Sequence, residues 1–395
     1  MADSFQILTL NNIAQAGLDR LPADRYSCSD NTAEPDAILL RSQNLHSDPI
    51  ADSVAVIGRA GAGTNNIPVD AMSERGVPVL NAPGANANAV KELALAGLLI
   101  AARNVCDARE HVKGLNLSGD ALDKAVEASK KQFRGFELPG KTLGVIGLGA
   151  VGVEIANAAL GLGMKVVGFD PKITVRRAWQ LSAGVEQADT IEELFKRADA
   201  ITLHVPLMDA TEHLVNAARL ALMPEQSVLV NFARGGVVDN DAVLAALDDG
   251  RLHTYVCDFP TEALIAHPNV IALPHLGAST TEAEENCAIM VAENVKEFLE
   301  NGNIRFSVNF PEARLPRLDA WRLTIANANV PNMVGQISTL LAQADLNIED
   351  LLNKSLGDLA YTIVDVNGPI KADTEAQIRA IDGVLTLRNL GKPVI

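Results

Sequence analysis

Basic residues are scarce in this chain. Its 395 residues carry 33 Lys and Arg against 49 Asp and Glu, a formal net charge of −16. No basic run is present that would release counterions from a phosphate backbone, so nucleic acid is not expected as a partner. An anionic substrate would have to be held by a few local arginines against the overall field. Cysteine is also sparse. Cys28, Cys106, Cys257 and Cys287 are scattered, with no Cys-x-x-Cys spacing. This pattern predicts reduced thiols in a cytoplasmic protein, and no metal site is expected. Long apolar runs are missing too: the longest, around Leu93–Ala102, is too short and too rich in alanine to span a bilayer. The opening "MADSFQILTL" has neither the basic start nor the small-residue cleavage site of a secretory leader. No membrane partner is therefore expected. What remains is ordinary for a globular protein, 48% hydrophobic and 21% charged. The length exceeds one ordinary core and predicts two or three domains.

The stretch "VIGLGAVGVEIANAALGLGMKVVGFDPK", Val145 to Lys172, carries the clearest signal. "TLGVIGLG" reads as a buried parallel strand. Gly147, Gly149 and Gly152 then fit G-x-G-x-x-G. The first permits a tight turn, the second lets backbone approach a pyrophosphate, and the third lets the next helix sit close to the strand. The helix N-terminus that follows offers N–H groups and a positive dipole end to phosphate. A second strand, "KVVGFD", ends at Asp170, whose carboxylate suits the ribose hydroxyls of NAD and repels the extra phosphate of NADP. NAD is the expected cofactor. Lys172 and the Arg176–Arg177 pair are the nearby cations that weigh the other way.

Strand and helix patterns alternate after Asp170, through "ADAITLHVPL", "LVNAARLALM", "SVLVNFA", "NDAVLAALDDG", "TYVCDF" and "NVIALPHLG". They predict a doubly wound parallel sheet. Before the fingerprint, "SFQILTL", "PDAILLRS", "VAVIGRAG" and "VPVLNAP" are four short strands of a separate α/β domain. The helix "NAVKELALAGLLIAARN" joins the two. Around 309–316 two prolines, Pro311 and Pro316, break periodicity, and this segment reads as a linker. The remainder reads strand, helix, hairpin, helix, strand, the ferredoxin-like βαββαβ arrangement.

Three polar residues fall where such a sheet places a site, at strand carboxyl ends: Arg234 after "LVNFA", Glu262 after "CDFPT", and His275 after "VIALP". Hydride transfer between an alcohol and NAD needs a base for the hydroxyl proton, and His suits neutral pH. A carboxylate can fix the imidazole and stabilise its cation. An arginine can grip a substrate carboxylate or polarise its carbonyl. In the first domain, Arg41 and Arg59 also follow strands and would supply two further cations. The glycine loop Ala60–Gly63, with Gly61 at its centre, offers backbone N–H groups to a carboxylate.

"GLGAVG", "LHVPL", "NFARGGVVDNDAV" and "PHLGAST" resemble the D-2-hydroxyacid dehydrogenase family over essentially the first three hundred residues. The resemblance implies a Rossmann-type NAD domain at 86–275 and a discontinuous, flavodoxin-like substrate domain at 1–85 plus 276–308. It implies cofactor contacts from Ala150, Val151, His204, Val205, Pro206, Ala233, Gly277 and Ala278, with Asp258 at the nicotinamide amide. It assigns Arg234, Glu262 and His275 the roles argued above. The loop "CDFPTE" is about one residue shorter than the family's pattern, which bears on Asp258 and Glu262. Arg41–Ser42 resembles the Arg-Ser pair that meets substrate phosphate in members acting on 3-phosphoglycerate. That implies oxidation of 3-phospho-D-glycerate to 3-phosphohydroxypyruvate, the first step of serine synthesis. The rival readings are a reductase of glyoxylate, hydroxypyruvate or another small 2-oxo acid, and a non-catalytic NAD-sensing protein. The tail, 317–395, resembles an ACT domain, a regulatory module that binds amino acids, usually between paired domains. This implies a homo-oligomer, dimer or tetramer, and serine as effector at Asn327, Asn329 and Asn347. Two departures stand out: Pro331–Asn332 replaces the usual Pro-Gly, and Asn327 replaces a histidine. Asn329, Asn332 and Asn347 are expected to converge beside a helix N-terminus.

Overall fold

The structure is a computed structural model that describes residues 4–393. The chain divides into two compact units, Met1–Ala85 with Glu284–Ile395, and Asn86–Ala283.

The first unit opens with β1 (Phe5–Leu10), β2 (Tyr26–Ser29), β3 (Ala37–Leu40), β4 (Val56–Arg59) and β5 (Val79–Leu80). They form one parallel sheet in the order β2-β1-β3-β4-β5, the flavodoxin-like order. Residues of "AILL" in β3 are all buried, as a central strand covered on both faces requires. β2 reads "YSCS" and has almost no apolar signal, so the sequence pattern shows four strands where there are five.

The second unit starts at α1 (Ala87–Ala102). Its strands are β6 (Thr142–Ile146), β7 (Lys165–Phe169), β8 (Val185–Gln187), β9 (Ala200–Leu203), β10 (Ser227–Asn231), β11 (Leu252–Cys257) and β12 (Val270–Ala272). Seven parallel strands run β12-β11-β10-β9-β6-β7-β8, the doubly wound order expected from the alternating pattern. α2 (Ala150–Gly161) leads from β6 to β7. The order reverses at β6, so the crevice at the carboxyl ends of β6 and β9 is the switch point where such sheets bind ligands.

α3 (Thr281–Asn301) carries the chain back into the first unit. Cys287, Ala288, Val291, Ala292, Val295, Phe298 and Leu299 form its buried stripe, and they share one core with Ile7, Leu39 and Val56 of the parallel sheet. The chain ends in β13 (Trp321–Ala328), α4 (Met333–Gln343), β14 (Ile348–Leu356), β15 (Leu359–Val366), α5 (Ala372–Arg379) and β16 (Val384–Gly391). The antiparallel sheet has the order β14-β15-β13-β16, as βαββαβ predicts.

One expectation needs correction. The segment 309–316 is not a loose linker. Asn309 and Phe310 are buried. The Asn309 side chain accepts from Val79 N at 2.9 Å and donates to Val77 O at 3.0 Å, continuing the sheet edge where a strand would. Its prolines break periodicity without loosening the chain. The helix-free face of the last sheet is covered. Ala326, Tyr361 and Ile363 on that face belong to the same core as Phe298 and Phe310. Arg322 of β13 lies directly opposite Asp365 of β15, and both are fully buried. Its guanidinium bonds both Asp365 oxygens at 2.6 Å and the carbonyls of Asn301, Leu315 and Pro316 at 2.8 to 3.0 Å. Every donor of this buried cation is thereby used, which is the condition under which such a pair is tolerated.

Candidate dinucleotide and active site

The strand-to-helix turn after β6 is built by glycine. Gly147 has φ of 90°, and a Cβ there would lie 2.7 Å from His204 O. A Cβ on Gly152 would lie 1.9 Å from Gly147 O. Gly149 faces no atom within 4 Å and is the helix cap before Ala150 and Val151, so a phosphate can reach this backbone. Asp170 follows β7, half-buried. Its carboxylate accepts from Leu148 N and Lys172 N, each at 2.8 Å. It therefore braces the glycine turn and still has lone pairs for a ribose.

Beyond β9, burial pushes the His204 imidazolium down to about 3, so the ring is neutral, and its Nε2 lies 2.8 Å from Thr202 Oγ1. Val205 and Pro206 continue this loop, where Thr211 donates to Pro206 O at 2.6 Å.

Arg234, Glu262 and His275 follow the neighbouring strands β10, β11 and β12. Asn231 closes the turn before Arg234. Its amide donates to Arg234 O at 3.0 Å and accepts from Ala233 N at 3.1 Å. Arg234 donates to Ala233 O at 2.6 Å and is otherwise exposed. Phe259 joins the loops: a Cβ on Gly235 would lie 3.2 Å from Phe259 Cβ, and the Phe259 ring lies 4.6 Å from the His275 ring. Gly235, the residue after Arg234, and His275 thus flank one aromatic side chain. Glu262 opens the short helix Glu262–Ala266 and is exposed. Among the described residues it has no recorded hydrogen bond to His275.

A second carboxylate, that of Asp258, is close enough to His275 to feel its charge. It is 2% exposed, and neither oxygen has a well-formed hydrogen bond among the described residues, although the backbone N–H groups of Leu276 and Gly277 face it. Burial raises its pKa, and the charge of His275 opposes that rise. Its Oδ2 lies 3.8 Å from where a Gly277 Cβ would be, so the loop bearing Gly277 and Ala278 closes over it. A buried acceptor left unsatisfied fits an amide donor from a bound ligand, and a nicotinamide carboxamide has that donor. The glycine turn, Asp170 and Asp258 together fit a dinucleotide. Asn231 and Phe259 are site residues that motif reading passed over. "NFARGG" contained the first, but nothing in its spacing marked it as a turn brace.

In the first unit, Arg41 pairs with Glu284 of α3 at 2.7 Å. Arg59 lies over Gly61, where a Cβ would fall 1.6 Å from its Nη1 and where φ is 148°. Both cations act on the thiol of Cys287, so they gather at the first turns of α3. Ala60 and Gly61 are held by Ala60 N to Leu40 O at 2.8 Å and Ala82 N to Gly61 O at 2.9 Å. Ser42 and Gly63 are on the same two loops.

The effector asparagines do not converge within one chain. Asn329 donates to Gly357 O at 3.0 Å beside Asn332, the helix cap of α4. Asn347 bonds Asn367 at the other end of the sheet, where Ile348, Val366 and Trp321 are in register. The length of β13, roughly 26 Å at 3.3 Å per residue, separates them. Asn327 is buried, with its amide on Ala328 O at 2.7 Å.

The fold and this site define an NAD-binding dehydrogenase scaffold. Residues 95–277 match the model of the D-isomer specific 2-hydroxyacid dehydrogenase NAD binding domain. A D-3-phosphoglycerate dehydrogenase of Haemophilus influenzae is 34% identical over 86% of this chain and 82% of its own. A second, of Methanocaldococcus jannaschii, is 38% identical over 80% of this chain, which spans 58% of that protein's length. Among solved structures, apo D-mandelate dehydrogenase of Rhodotorula graminis superposes with a TM-score of 0.66 at 27% identity, covering 80% of this chain and 99% of its own. The chain belongs to the D-isomer specific 2-hydroxyacid dehydrogenase family. Among the described residues no helix is long and apolar enough to cross a membrane.

Proposed function

We propose that this protein oxidises 3-phospho-D-glycerate to 3-phosphohydroxypyruvate with NAD. Bound NAD would supply the hydride acceptor. His275 takes the hydroxyl proton, and its exposed ring beside Phe259 leaves it open to substrate. Arg234 grips the carboxylate through a guanidinium that, among the described residues, only Ala233 O otherwise engages. Asp258 holds the nicotinamide amide and places negative charge near His275. Glu262 is the acid assigned to steady the imidazole. Arg41, with Ser42 and Arg59, takes the phosphate. The observation that carries this reading is that Phe259 packs against both the Arg234–Gly235 loop and the His275 ring at the carboxyl ends of β10 and β12. The test is a coupled NADH assay over a panel of 2-hydroxy acids. We expect 3-phosphoglycerate to lead, and Arg41→Ala to raise its KM far more than that of an unphosphorylated acid. Charge-assisted bonds to phosphate are worth about 1.5–3 kcal/mol each. An equal rise for both acids would remove Arg41 from the phosphate site.

The modules of this reading are 1–85 with 276–308 for substrate, 86–275 for NAD, and 317–395 for regulation. The enzyme acts as a cytoplasmic homo-oligomer, in keeping with four unpaired cysteines and the exposed apolar Leu99, Val105 and Val112. Serine binds between two copies, taking Asn329 from one and Asn347 from the other.

A further inference from the structure

A cavity of about 480 Å³ lies where the last strand meets the amino ends of the first sheet. Phe5, Arg25 and Asp36 line it at the starts of β1, β2 and β3, with Glu300 from the end of α3 and Arg317, Arg388 and Lys392 from the C-terminal module. Arg41 follows the opposite, carboxyl end of β3, so this cavity is on the far edge of the sheet from the proposed phosphate ligands.

Its charges do not balance. Arg25 pairs with Glu300 at 3.0 Å, and Lys392 pairs with Asp319 at 2.8 Å. That leaves two arginines and one carboxylate. Arg388 donates to the carbonyls of Phe298 and Leu299, each at 2.9 Å, and meets Asp36 only through space. Arg317 donates through Nη2 to Gly391 O at 2.7 Å, while its Nε and Nη1 are buried with no hydrogen-bond partner among the described residues. Burial lowers the pKa of both guanidiniums. A buried charged donor without an acceptor is costly, and natural structures keep one where a ligand satisfies it. In a chain of net charge −16 this grouping of cations runs against the average.

We propose that this cavity is a binding site for a small phosphate-bearing dianion, held by the free donors of Arg317 with Lys392 and Arg25 at its rim. A phosphate suits it better than a carboxylate. The donors come from three separate segments, and a tetrahedral acceptor can meet them from several directions, whereas a carboxylate is planar.

Calorimetry on the full chain tests this, with inorganic phosphate as probe and acetate as the carboxylate control. The Arg41→Ala background weakens the other phosphate cluster. We expect phosphate binding that Arg317→Gln or Lys392→Glu weakens at least tenfold, and no comparable heat from acetate. If Arg317→Gln fails to fold by circular dichroism, Lys392→Glu decides, because that side chain is on the surface. Absence of phosphate binding in the Arg41→Ala chain, the same Kd in the folded variants, or equal binding of acetate would each overturn the proposal.

Discussion

At the scale of single residues, Asp258 and His275 make opposite demands on one site. His275→Ala should lower kcat at least a hundredfold while NADH still binds, since general-base contributions run roughly 10²–10⁴-fold. Steady-state rates and NADH fluorescence titration check this, and near-native turnover would remove the imidazole from the chemistry. Asp258→Asn should do the reverse to the empty protein. The native carboxylate is buried without a well-formed hydrogen bond among the described residues, and burial raises its pKa more than His275 and the nearby backbone N–H groups of Leu276 and Gly277 lower it. A raised carboxylate pKa means that the folded state holds the proton more tightly than the unfolded state. Stability is therefore lost as pH climbs from the ordinary carboxylate range through the folded pKa. Removing that charge should raise the neutral-pH stability of the apo protein by about 1–2 kcal/mol, with a smaller gain at pH 4. NAD affinity should fall in the same variant. Thermal melts at two pH values with and without NAD measure both; an unchanged apo melt would mean that water already satisfies Asp258.

At the scale of elements, the buried Arg322–Asp365 pair fastens β13 and β15 to the end of α3. Breaking it from one side strands a charge. Asp365→Leu should cost about 3–5 kcal/mol, whereas Arg322→Met with Asp365→Leu should cost clearly less. Urea unfolding of the single and double variants separates the two, and additive losses would show that the pair is only packing. This element-level glue is also where sequence reading stopped. The glycine fingerprint, Asp170 and the βαββαβ tail were legible because each rests on local rules of turn, period and cap. β2 was not, because "YSCS" owes its strand to pairing with β1 rather than to its own pattern. Asn309 was misread for the same reason: prolines announce an irregular backbone, but only tertiary contact decides whether it is buried. In the candidate site, positions at strand ends could be read from topology. The aromatic contact joining the Gly235 loop to His275, and the separation of Asn329 from Asn347, required three-dimensional register.

At the scale of the whole molecule, that separation makes a prediction about assembly. If serine needs Asn329 of one copy and Asn347 of another, Asn329→Ala and Asn347→Ala should each abolish binding in a homodimer. In a mixed dimer one site receives both substitutions and the other receives neither. Co-expressed, doubly tagged heterodimers should therefore regain half of the serine sites by calorimetry. No recovery would confine the effector to one chain or remove it. The intact chain is the material for this test, because an isolated 317–395 fragment would expose the face carrying Ala326, Tyr361 and Ile363.

The side chain of Asn309 on Val79 also sets a timetable for synthesis. The first sheet leaves the ribosome long before the helix and the asparagine that complete it, because the whole second unit is translated in between. At bacterial or eukaryotic speeds of about 5–20 residues per second, the roughly two hundred intervening residues take about 10–40 s. Throughout that interval β5 has an open edge, and the apolar side chains of β1, β3 and β4 have no helix α3 against them. The nascent chain is thus a natural client for whatever holds hydrophobic segments apart at the ribosome exit, and its yield on expression should depend on translation speed across residues 86–283 more than on the stability of the finished protein.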